Sequence, residues 1–242
     1  MTNFNDINLL NAAFTAAFRK EGTIFISEKE FQEKQARHDG SIYNQIDLNS
    51  FQQSNLVSGI VDGEDISRLY VKTLTGKTVT LEFEENPKYH CDFTNIGDKG
   101  ETFMRGGIQY QKPYGWRRFA IKVTGKYDNG DDTWLGIDNN SWPVSYHGTA
   151  KNNTNSIAED GYLLSKGKRF AFGHGIYSTP NIKIAEMYAA EFPFEGQIYM
   201  AVIQNRVNPV NLHRVSTEVG EYWISRRSKD VRPYGICIKK KG

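Results

Sequence analysis

From Trp116 to the C-terminus, short alternating runs of apolar and polar residues follow one another with glycines between them, and no other feature constrains the fold as much. Arg117 to Val123 alternates, Thr133-Trp134-Leu135 is a short apolar piece, and Val144 to His147 enters a turn at Gly148. Ile176-Tyr177, Gln197 to Gln204, Glu221 to Ile224 and Gly235 to Lys239 complete the expected strands. A period of two marks strands with one face buried. Two helical stretches interrupt them. One lies around Asn155 to Glu159 and ends at Gly161; the other starts at Thr179-Pro180, where threonine caps and proline fits the first turn. Strands broken by short helices, without an internal repeat, predict an α+β domain built on antiparallel sheets rather than a doubly wound parallel one.

Upstream, Ile7, Leu10, Phe14 and Phe18 recur at steps of three and four, which predicts an amphipathic helix ended by Gly22. A second helix is expected from Ser27, with Glu30 completing a capping box, to His38. Residues 41–63 are rich in Ser, Gln and Asn and read as a connector. Beyond it Leu69, Val71, Val79, Leu81 and Phe83 alternate around Thr75-Gly76, a β-hairpin. The expected organisation is therefore a helical and connector region over 1–60, a β-rich segment over 61–108 and a larger domain over 109–242.

Thirty Lys and Arg stand against 28 Asp and Glu, 30 − 28 = +2, so the overall balance calls for neither nucleic acid nor an anionic membrane. Hydrophobic residues at 38% and aromatics at 13% exclude a disordered chain. No apolar run approaches the roughly 18 residues that a membrane helix needs. Cys91 and Cys237 lie far apart with no CxxC beside them, so no zinc site or disulfide framework is specified and a reducing compartment, cytoplasm or nucleus, is expected.

Three motifs stand in order along the C-terminal half: Tyr146-His147-Gly148-Thr149, Gly173-His174-Gly175-Ile176-Tyr177 and Gly220-Glu221-Tyr222-Trp223. Tyr188 follows Tyr177 by eleven residues, and Glu221 precedes the final apolar stretch RPYGICIKK. In this order and spacing they resemble the catalytic domain of the poly(ADP-ribose) polymerase family, the diphtheria-toxin-like ADP-ribosyltransferases with a His, Tyr, Glu signature. The resemblance runs from Tyr110 to Lys241. It implies split antiparallel sheets with short helices, and NAD as co-substrate without a metal. Separately, Leu69 to Glu84, LYVKTLTGKTVTLEFE, resembles the opening hairpin of ubiquitin, and Arg105-Gly106-Gly107 is similar to its tail. Two readings stay open for that stretch: a plain hairpin left as an edge or fusion remnant, or a surface that borrows ubiquitin's partners.

The resemblance gives each residue a task that physical chemistry supports. Breaking the nicotinamide–ribose bond of NAD leaves positive charge on the sugar, and a carboxylate stabilises such an oxocarbenium-like state. That carboxylate is Glu221, which by the family pattern also accepts the ribose 2′-hydroxyl. Tyr177 and Tyr188 offer two ring faces to the flat, cationic nicotinamide, about 0.5 to 2 kcal/mol each. Gly148 lets the backbone reach the carboxamide. His147 donates to the adenosine ribose, so the catalytic set is Glu221, His147 and Tyr177. Thr149 and the loop Leu163 to Gly175, with Lys166 and Lys168, are expected at the pyrophosphate, and Phe170 and Phe172 at the adenine.

Two departures from the family pattern matter. Ala185 stands eight residues beyond Tyr177 where many members carry a serine that bonds the carboxamide. Residues 208–220 form a short segment where long-chain polymerases bind acceptor ADP-ribose, which points to transfer of single or short units. The expected acceptor is a protein, with a nucleic-acid end as the alternative and a ubiquitin-system partner open through the hairpin. The rival function is an NAD- or ADP-ribose-binding module without turnover. The N-terminal helix is expected to bury Phe14 and Phe18 on the transferase domain or over its cleft.

Overall fold

A computed structural model describes residues 89–148 and 175–242, together with residues 9, 10, 12, 13 and 16 and the strand segments at 25–26, 56–61, 68–73 and 78–82. Among these residues the chain is mostly antiparallel β-sheet with few helical residues, α+β in the coarse sense. The helices expected at Ser27 to His38 and around Asn155 to Glu159 lie outside the described residues, as do Ile7, Phe14 and Phe18.

Strands β1 (Phe25–Ile26), β2 (Leu56–Val61), β3 (Arg68–Thr73) and β4 (Thr78–Glu82) form one sheet in that order. The β3–β4 pair is the hairpin expected from the ubiquitin-like stretch, with Leu69 opposite Leu81 and Val71 opposite Val79. β2 pairs antiparallel with β3, so the polar connector holds a strand. Its β-branched Val57, Ile60 and Val61 favour a pleated backbone whatever the composition around them.

Next in the chain come β5 (Cys91–Asp92), the hairpin of β6 (Phe103–Arg105) and β7 (Ile108–Tyr110), β8 (Arg117–Ala120) and β9 (Val144–Gly148). Gly106 and Gly107 form the two-residue turn of the hairpin with φ of +59° and +71°, the backbone of a type I′ turn. A Cβ at Gly106 would meet Ser141 O at 2.4 Å, so Arg105-Gly106-Gly107 is a packed turn, not a tail. The hairpin spans residue 109, and β5 pairs with β8, so pairing runs across the place where the sequence pointed to a boundary. Thr133–Leu135 is a single 3₁₀ turn that buries Trp134.

The remaining elements are β10 (Ile176–Ser178), a short helix Ile182–Glu186, β11 (Ala190–Phe194), β12 (Gln197–Val207), β13 (Leu212–Ser216), β14 (Glu221–Ser225) and β15 (Val231–Lys240). One edge of β12 is taken along Tyr199–Val207 by β15. Its other edge is shared: β11 occupies residues 197–201 and β9 occupies 202–206. β8 and β5 extend the sheet beyond β15. A second sheet, β10-β14-β13, joins it at one place, where Tyr146 of β9 and Thr179 exchange backbone hydrogen bonds of 2.7 and 3.0 Å.

Both faces of the six-stranded sheet are covered, which is why Tyr199 to Ile203 reads as an unbroken apolar run. Ala201, Ile203, Ile236, Ile238 and Phe119 face one core cluster; Met200, Val202 and Cys237 face another with Trp116, Tyr146 and Ala185. The N-terminal helical residues belong to the first: Leu9, Leu10 and Ala13 are buried there. The short helix covers the opposite face through Ile182 and Ala185. These described helical residues are thus part of the core, on the side away from the short helix. Arg232 closes one end of that core, its guanidinium 4.1 to 4.9 Å from the rings of Tyr127, Trp134 and Trp142 and paired through both nitrogens with Asp128 at 2.7 Å.

Leu10→Ala is expected to lower the unfolding free energy by about 2 to 5 kcal/mol in urea titrations, as for a large-to-small change in a packed core. A loss below about 0.5 kcal/mol, the range of a surface substitution, would remove the helix from the core.

Candidate active site

β9 presents Tyr146, His147 and Gly148 in succession, and neighbours fix each of them. The Tyr146 hydroxyl donates to Gln111 O at 2.6 Å and accepts from Gln204 Nε2 at 3.2 Å; Gln204 is held in turn by Arg118 Nε at 2.7 Å. His147 is buried, with Nδ1 donating to the Tyr177 carbonyl at 2.6 Å. Burial pushes its pKa down to about 4, with the hydrogen bond to Tyr177 opposing. The imidazole is therefore neutral at ordinary pH with its proton on Nδ1, which leaves Nε2 an acceptor.

Gly148 is a glycine for a reason that spacing alone does not reveal. A Cβ there would lie 2.5 Å from the carbonyl oxygens of Ala185 and Tyr188, so the end of the short helix rests on bare backbone. Gly220 does the same on the other side: its φ of +141° is a glycine conformation, and a Cβ would lie 2.3 Å from Ile184 Cδ1. The helix is wedged between β9 and the start of β14. Asn181 caps it, its side chain accepting from Lys183 N at 2.9 Å. The expected cap, Thr179, lies two residues earlier: its hydroxyl accepts from Asn181 N at 3.2 Å, and its backbone is bridged to Tyr146.

This wedge brings Tyr188 beside β14. Tyr188 is 39% exposed, and its hydroxyl lies 3.3 Å from that of Tyr222. Burial, then the Tyr188 hydroxyl, pushes Tyr222 up to about 12. Tyr177, half-buried on β10, is the ladder partner of Ile224. Strand alternation puts Tyr177, Tyr222 and Ile224 on one face of this sheet, and Glu221, Trp223 and Ser178 on the other. Glu221 stands two residues beyond the last rung of the β10–β14 ladder, where β10 does not cover it.

Glu221 is paired with Arg214 of β13, whose Nε donates to Oε1. Register puts Ser216 opposite Glu221 and Arg214 opposite Trp223, so the ion pair runs diagonally between strands. The Arg214 hydrogen bond holds the carboxyl below its usual range, the Trp223 indole adds to this, and burial opposes it.

No protein-family model matches this chain, and no curated protein matches it. The site is therefore read from its own residues. His147, Gly148, Tyr177, Ala185 and Tyr188 gather around the bridge and the short helix, whereas Glu221 opens β14 beside that helix on the face opposite Tyr177 and Tyr222; Thr149, Phe170, Lys166, Lys168 and Phe172 lie outside the described residues. Ala185 is buried with its carbonyl against Gly148. The sequence reading gave no role to Tyr222, Arg214 or Gly220. The alternation in Leu212 to Ser216, with an arginine and a glutamate flanking a glycine turn, is the signal by which the Arg214–Glu221 pair could have been found. A separate cavity of about 390 Å³ opens at the first turn of the short helix, beside the β6–β7 hairpin. None of the expected site residues lines it, and its Asp98, Glu101, Lys112 and Lys183 balance in charge.

The low pKa of His147 has a measurable cost. An unfolded histidine titrates near 6.5, so between pH 6.5 and 4 the unfolded chain binds the extra proton and stability falls with falling pH, by about 3 kcal/mol in all. Urea unfolding at pH 7 and 4.5 should register most of this loss in the parent and not in His147→Gln; equal loss in both would place its origin elsewhere.

Proposed function

We propose that this chain is an NAD-dependent ADP-ribosyltransferase that breaks the nicotinamide–ribose bond and passes single or short ADP-ribose units to a protein acceptor. The observation that carries the reading is that one bridge between two antiparallel sheets, with the short helix beside it, brings His147, Tyr177 and Tyr188 together, with Glu221 opening the adjoining strand on the opposite face of the second sheet, in the order of the His, Tyr, Glu signature. Two sheets meeting at β9 and β10, with a short helix against them, also agree with the split-sheet fold that the resemblance implies.

The residues fit such a substrate. Tyr188 keeps an exposed ring whose hydroxyl is held by Tyr222, an arrangement suited to a flat cation. His147 is neutral and stands on β9 beside the bridge, the place at which the resemblance puts the histidine that meets the adenosine ribose. Glu221, ionised at neutral pH, faces the charge that grows on the sugar as nicotinamide leaves with the bonding electrons. The acceptor then bonds to the same ribose carbon. Transfer of short units is supported by the link between β13 and β14, a tight turn closed by hydrogen bonds between Thr217 and Gly220. A cytoplasmic or nuclear setting is supported by Cys91 and Cys237, both free thiols. The β3–β4 hairpin backbone leaves a ubiquitin-system partner open. Among the described residues no helix is long and apolar enough to cross a membrane.

A second reading, an NAD- or ADP-ribose-binding module without turnover, draws on the Arg214–Glu221 pair, since a carboxylate already held by a cation is less available to a sugar. Labelled NAD separates the two. Transfer of label by the parent and its loss in Glu221→Ala support the enzyme; tight NAD binding without nicotinamide release supports the module. Tyr188→Ala should weaken NAD binding about fivefold or more, the value of one stacked ring, with the melting temperature little changed. A sharp fall in melting temperature at unchanged affinity would make Tyr188 a core residue.

A further inference from the structure

We propose that Arg214 and Trp223 form a clamp that positions Glu221 for its reaction, Arg214 acting as a positioning residue and not as a catalytic one. The inference rests on the transferase reading above, because it concerns how that carboxylate is presented.

Three observations carry it. Arg214 Nε donates to Oε1 of Glu221, and among the described residues no donor closes a hydrogen bond on Oε2. Trp223, on the same face of β14, is fully buried; its indole N–H approaches the carboxylate without completing a hydrogen bond and has no other partner. The Arg214 guanidinium lies 5.8 Å from the Trp223 ring, so the cation is steadied by the residue that flanks its anion. One oxygen is thus held while the other is left to accept a hydroxyl.

The clamp decides what kind of group Glu221 is. A carboxylate bonded to a guanidinium stays ionised and accepts hydrogen bonds, but it takes a proton poorly. Glu221 is thereby set up to hold a sugar hydroxyl and meet positive charge rather than to act as a general base. The groups that face it are Arg214 from β13 and Trp223 from its own strand, while Tyr222 lies on the opposite face. From the short helix, the apolar Ile184 packs at Gly220, next to Glu221 in the chain. No other charge among the described residues contributes to its titration.

The test uses the full chain with Arg214→Gln and Arg214→Lys. The Glu221 carboxyl is followed by NMR on protein labelled with ¹³C at glutamate side chains and assigned with Glu221→Gln; nicotinamide release from NAD is measured from pH 5 to 8. In Arg214→Gln the carboxyl should titrate at higher pH than in the parent. The ratio of turnover at pH 5 to that at pH 7.5 should fall about threefold, with Arg214→Lys between the two. An unmoved carboxyl titration in Arg214→Gln, or in Arg214→Lys should the first variant not fold, overturns the clamp. A carboxyl that moves while the pH dependence of turnover stays fixed overturns its positioning role. Absence of nicotinamide release from the parent counts against the transferase reading, and the carboxyl titration still judges the clamp on its own.

Discussion

Strand β12 is the constraint on which the rest of the molecule depends. It is buried on both faces and paired on both edges, with β15 along one side and β11 followed by β9 along the other. Handing one edge from β11 to β9 frees the far side of β9 to meet Thr179, and that meeting joins the second sheet to the first. Helical residues then seal the two faces from opposite sides, Leu9, Leu10 and Ala13 on one and Ile182 and Ala185 on the other. Leu9, Leu10 and Ala13 thus support the sheet on the face away from the short helix, while Phe14 and Phe18 lie outside the described residues.

The site follows from missing side chains as much as from those present. Gly148 and Gly220 let a five-residue helix lie against two strands, and the helix carries Tyr188 to Tyr222. Electrostatics then divides the labour. His147 is kept neutral by burial and Glu221 is kept charged by Arg214, opposite outcomes a few residues from one bridge. Neither group is set up to take a proton near neutral pH.

Much of this was legible in the sequence where local pattern and tertiary role agree. The strands at Arg117, Val144, Ile176, Gln197 and Glu221 follow from alternation; which face of β14 carries Glu221 depends on register with β10, which the motif order does not set. The misses have physical causes. β11 contains Pro193 and a charged Glu191, which disguise a strand protected on one edge by β12. β13 is short and exposed at an edge, so its apolar signal is thin. The polar stretch before the hairpin concealed β2, whose pairing with β3 no local period could announce. Arg214 escaped notice because a cross-strand ion pair depends on register, which only the turn at Thr217 to Gly220 sets.

The glycine wedge also has a mechanical side. Backbone meets backbone at Gly148, and backbone meets Ile184 at Gly220, so little compressible material separates the helix from either strand. A shift of one sheet against the other by a fraction of an ångström would be relayed to the phenol pair of Tyr188 and Tyr222 almost undamped. The separation of those two hydroxyls is therefore tied to the spacing between the sheets.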